Sequence, residues 1–126
     1  MDENTVSHAI VTAAIEVHRT LGGPGLLESV YEEALAWELT QAGLLVERQK
    51  PVPIRYKTVL LATPLRVDML VAGIVIVECK ATIGYNSIFE AQILTYLRLT
   101  DLRLGLVINF GEKLVKSGIR RVVNKL

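Results

Sequence analysis

A chain of 126 residues can bury one sizeable core but not two, so a single domain spanning residues 1–126 is expected. Fourteen basic and 13 acidic residues give a net charge of +1, which removes any global electrostatic argument for nucleic-acid binding. The chain is 51% hydrophobic with mean hydropathy +0.39, yet no apolar run approaches the roughly 18 residues that a membrane span needs.

The opening MDENTVSHAI has neither the basic start nor the cleavage site of a secretory signal, so a cytoplasmic protein without a membrane partner is expected. Val6, Ile10, Ala13, Ala14, Val17 and Leu21 form the apolar stripe of an amphipathic helix. The breaker GGPG at 22–25 ends it. A second helical stripe follows through Leu27, Val30, Tyr31, Ala34, Leu35 and Leu39 and stops at Gly43. Leu44 to Tyr56 carries Pro51 and Pro53 and reads as an edge or bent strand. Strands at Leu65–Val71 and Ile74–Lys80 form a tight hairpin with Ala72 and Gly73 at its tip. The helical period returns from Ser87 to about Leu99, LGLVINF at 104–110 is a buried strand, and GIRRVVNKL adds a last short one. A strand, helix, strand passage implies a right-handed crossover joining parallel strands beside the antiparallel hairpin. The expected fold class is therefore α/β, a mixed central sheet flanked by helices.

The hairpin poses a problem. LRVDMLVAGIVIVECKA is almost wholly apolar, yet it contains Asp68, Glu78 and Lys80, and burying unpaired charge costs several kcal/mol. Glu78 and Lys80 are two apart and leave the same strand face. Cys79 between them faces the other way and reads as core packing; as the only cysteine it has no internal disulfide partner. A two-residue turn would pair Asp68 with Val77 and send its carboxylate to the far face. A three-residue turn or a bulge brings it to the near face, opposite Ile76 and diagonal to Glu78, and this second register is the one we expect. Two carboxylates with open positions suit Mg²⁺ or Mn²⁺, and an adjacent lysine can stabilise charge on a phosphate. The bland alternative is a surface Glu78–Lys80 pair with Asp68 unrelated.

These residues carry a resemblance. Val67-Asp68 followed by ECK at 78–80 resembles the core of the PD-(D/E)XK nuclease superfamily. GLLESVY at 25–31, with EEALAWEL, VIVECKA, AQILTYL and GLVINFG, resembles the GxxExxY protein family, a branch of it. The resemblance implies a restriction-endonuclease-like core, hydrolysis of DNA or RNA, and a Mg²⁺ or Mn²⁺ cofactor. It implies a metal set of Asp68, Glu78, the backbone carbonyl of Cys79 and Glu28, with Lys80 as catalytic lysine. Gln92 and Tyr96, one helical turn apart, match a substrate-binding Gln-x-x-x-Tyr element; with Tyr31 they are the candidate substrate contacts. Val67 stands where the superfamily motif has proline, and Glu90 stands where many relatives have histidine. His8 and His18 point in different directions and do not read as a metal pair.

Two alternatives accompany the nuclease reading: a non-catalytic nucleic-acid-binding or protein-interaction module that keeps the fold, and hydrolysis of a small phosphorylated substrate. The segment from Lys113 to Lys125 is locally basic and reads as a solvated edge more readily than as a phosphate track. The apolar surplus and the two edge segments lead us to expect a homodimer.

Overall fold

The computed structural model describes all 126 residues. Helix α1 runs Glu3–Leu21 because Asp2 caps it, Oδ1 accepting from the Thr5 N–H at 2.8 Å, and because Gly22 closes it in the left-handed region at φ 92°. It therefore begins three residues before the apolar stripe does. Helix α2 is Glu28–Gln41. Strand β1 is Val46–Val52, and a small exposed hairpin of β2 (Arg55–Tyr56) and β3 (Val59–Leu60) follows where we expected one longer strand. Then come β4 (Leu65–Val71), β5 (Val75–Lys80), α3 (Ile88–Thr100), β6 (Leu104–Asn109), a 3₁₀ turn at Val115–Gly118 and β7 (Ile119–Val123).

Five strands form one mixed sheet in the order β1-β4-β5-β6-β7, with β5 and β6 parallel and every other pair antiparallel. This is the mixed sheet flanked by helices expected of a restriction-endonuclease-like fold. Alternation along β5 and β6 divides the core between the two faces. Val75, Val77, Cys79, Leu104, Leu106 and Ile108 pack with α1 and α2, while Ile76 and Val107 pack with Ile93 and Leu97 of α3. Gly105 lets α3 come close: a Cβ there would lie 2.7 Å from the Ile93 side chain.

The β4–β5 register corrects one expectation. The turn has three residues, Ala72 to Ile74, with Ala72 and Gly73 both left-handed at φ 55° and 70°. Val71 therefore pairs with Val75 and Met69 with Val77, and the next step places Asp68 opposite Glu78, not opposite Ile76. A three-residue turn shifts the partner toward the C-terminal end of β5, the reverse of the direction we had inferred. Both carboxylates still belong to one neighbourhood, and directly opposed positions stand closer than diagonal ones.

Candidate active site

The ladder between β4 and β5 ends at Met69 and Val77, and two side chains take over the pairing. The Asp68 N–H donates to Glu78 Oε2 at 3.1 Å, and the Cys79 N–H donates to Asp68 Oδ2 at 2.9 Å. Each carboxylate thus replaces a backbone carbonyl, and the strands splay around the pair. On the other side of β4 the ladder to β1 skips the Gln49–Asp68 position, where Gln49 is left-handed at φ 48°. This kink also switches faces: Val67 packs with α3, whereas Met69, two residues on, packs with α1 and α2. Regular alternation would have kept them together. Asp68 sits at the switch.

Glu78 is 5% exposed. Its carboxyl is pushed up to about 9, first by burial and then by hydrogen bonding and charge from Asp68, with the Asp68 N–H and Lys80 opposing the rise only in part. Neither acid takes part in a salt bridge. Lys80 is half-buried, one residue beyond Cys79, with Nζ 4.9 Å from the centre of the Phe89 ring of α3. Tyr96, on the same helix, is raised first by burial and then by the charges of Glu78 and Asp68, while a hydrogen bond with Gln92 lowers it. Gln92 and Tyr96 are therefore neighbours on the helix that faces the acid pair.

From α2 the structure brings a residue that sequence reasoning missed. Glu32 is 6% exposed and accepts from Arg48 Nε at 3.1 Å and Gln49 Nε2 at 2.9 Å, with a salt bridge to Arg48 Nη2 at 3.0 Å. Burial raises its carboxyl, and Asp68 adds to the rise, so the two acids are close. Glu32 clamps the kinked Gln49 that lies opposite Asp68. Its signal was available: Glu32 falls on the buried stripe with Leu35 and Leu39, where an acid needs partners. Glu28, one turn earlier, is exposed, although its charge reaches far enough to help raise the buried Cys79 thiol. No three His, Cys, Asp or Glu side chains stand close enough to share an ion. The acids that the structure brings face to face are Asp68 and Glu78.

Tyr31 needs correction as a substrate contact. It is 0% exposed, its ring stacks on Phe110 at 4.7 Å, its hydroxyl donates to the Gly23 carbonyl at 2.7 Å, and it accepts from the Leu26 N–H at 3.2 Å. Tyr31 ties the GGPG turn to α2. His18 is buried too, with Nε2 donating to the Phe110 carbonyl at 3.1 Å.

Residues 4–122 match the family model described as the PD-(D/E)XK nuclease superfamily. The chain belongs to that superfamily, whose members generally use divalent metals and act on nucleic acids. Neither the curated proteins nor the solved structures give a match. No helix is long and apolar enough to cross a membrane.

Proposed function

We propose that this chain is a divalent-metal-dependent nuclease of the GxxExxY branch, hydrolysing phosphodiester bonds of DNA or RNA. The observation that carries the reading is the acid pair itself: two facing carboxylates, one nearly fully buried, with no basic group in a salt bridge to either. A buried pair of like charges is costly unless protonated or bridged, and an oxygen-seeking dication is the natural counter-ion. Asp68, Glu78 and the Cys79 carbonyl would hold Mg²⁺ or Mn²⁺, with Glu28 as an outer ligand. Such an ion supplies Lewis-acid polarisation of the phosphate and a more acidic bound water. Lys80, on the Glu78 side of β5, stabilises negative charge developing on the phosphate. Gln92 and Tyr96 hydrogen-bond the substrate backbone.

Calorimetry with Mn²⁺ tests the core of this. Wild type should give saturable heat that Asp68→Ala abolishes; equal heats in both proteins would sink the metal site. A second reading, a non-catalytic nucleic-acid-binding module, is favoured by one observation: two acids converge, not three. Manganese binding without hydrolysis of any oligonucleotide would select it. The reading also takes the protein as cytoplasmic, supported by its single unpaired thiol, and as a homodimer, supported by its apolar surplus.

A further inference from the structure

The basic segment after β6 is not used by the acid pair, and two cavities lie between it and the stretch that follows Lys80. The first, about 360 Å³, is lined by Ala81, Thr82 and Ile83, immediately after Lys80, together with Pro24, Gly25 and Gly111. The second, about 540 Å³, is lined by Gly22, Gly23, His18, Arg19, Lys113 and Lys116 among others. The same two segments line both: the GGPG turn gives Pro24 and Gly25 to the first and Gly22 and Gly23 to the second, and the 111–113 stretch gives Gly111 to the first and Lys113 to the second. We read the pair as one furrow that begins beside Ala81, the residue after Lys80.

Its charge and its walls point the same way. No acid lines either cavity. Lys113 and Lys116 are exposed and form no salt bridge, whereas Arg19 is held by Glu16. Glu112, which lies between Gly111 and Lys113, does not line the furrow; its Cγ packs where a Cβ on Gly118 would sit, 2.8 Å away. On the opposite wall Gly22, Gly23 and Gly25 all have positive φ, and a Cβ on any of them would meet nothing within 4 Å. At those three positions the wall is bare backbone, which admits another backbone closely. Ile83, fully exposed, stands at the end near Lys80. A single strand has unstacked bases to cover such a side chain, while a duplex turns its bases inward.

We propose that this furrow carries the phosphate backbone of a single nucleic-acid strand from the acid pair to Lys113 and Lys116. The proposal rests on the nuclease reading for its ligand, but its test does not need catalysis. Anisotropy of a labelled single-stranded oligonucleotide, titrated at several salt concentrations with Mn²⁺ on the Lys80→Ala protein, measures binding without turnover. Loss of two phosphate contacts should reduce the slope of log K against log salt by about 1.4 in the Lys113→Ala/Lys116→Ala variant, and weaken binding about fivefold to tenfold. Lys57→Ala, on the β2–β3 hairpin, should leave the slope unchanged. An unchanged slope in the double variant, an equal fall with Lys57→Ala, or no binding at all would overturn the furrow. Hydrolysis by wild type is scored separately: binding with the predicted slope but no cleavage would remove the nuclease reading and leave the furrow standing.

Discussion

Lys80 and Glu78 share a strand face but face different problems. Lys80 has its ammonium against the Phe89 ring and enough exposure to stay hydrated, so replacing it leaves the core intact. We expect Lys80→Ala to lower kcat by orders of magnitude while KM and melting temperature stay near wild type; equal turnover by the variant in a clean preparation would refute its role. Glu78 instead links the site to stability. Its folded value near 9 lies above the ordinary 4.5, so the folded state holds this proton more tightly than the unfolded one. That contribution is fully present below about pH 4.5 and is lost as pH rises toward 9. In chelator, melting temperature should therefore fall between pH 5 and pH 9, and Glu78→Gln should flatten the decline. Added Mn²⁺ should oppose it at pH 8, because the cation binds the ionised pair.

At the scale of elements, two contacts hold the frame around the acids. Gly111 passes so close to the loop after β5 that a Cβ would lie 2.3 Å from the Thr82 carbonyl oxygen. The buried Asn109 stitches the same crossing, accepting from the N–H groups of Thr82 and Gly111 and donating to the Thr82 carbonyl. Gly111→Ala should cost about 1–3 kcal/mol by denaturant unfolding. Tyr31→Phe should cost about 1–2 kcal/mol, because it strips a partner from the GGPG turn, and should leave substrate KM unchanged; a raised KM without lost stability would return Tyr31 to the substrate site. The helices and the succession of elements along the chain were legible because periodicity and breakers are local signals. Asp68, Glu78 and Lys80 were legible because charge inside an apolar hairpin demands an explanation. The register was not, since it depends on Ala72 adopting a left-handed conformation that few alanines take. Glu32 was missed because its importance comes from Arg48, Gln49 and Asp68, partners far apart in sequence.

For the molecule as a whole, the sheet edges are poor places to assemble. β1 carries Glu47, Arg48, Lys50 and Pro51, and β7 carries Arg120 and Arg121, the residues that blunt an edge against pairing. Exposed apolar side chains gather instead on the outer side of α2, where Leu27, Val30 and a 61% exposed Trp37 follow one another at helical spacing. If the chain dimerises, light scattering should give twice the chain mass at micromolar concentration, and Trp37→Glu should return the monomer. A wild-type mass that stays at one chain over the whole range would assign the apolar surplus to the core alone.

Cys79 gives the molecule a clock. Its thiol is 1% exposed and is pushed well above its ordinary value, first by burial and then by the surrounding carboxylates, so in the closed state it offers no thiolate to attack a disulfide reagent. Labelling must wait for this end of β5 to come away from α1 and α2, and its rate counts those openings. Whatever bridges Asp68 and Glu78 also bolts the strand to which the Cys79 N–H is tied. Mn²⁺ should therefore slow labelling in proportion to occupancy, and Asp68→Ala should label faster and ignore the ion. Occupancy of the site becomes readable from the colour of released thionitrobenzoate, with no substrate in the tube.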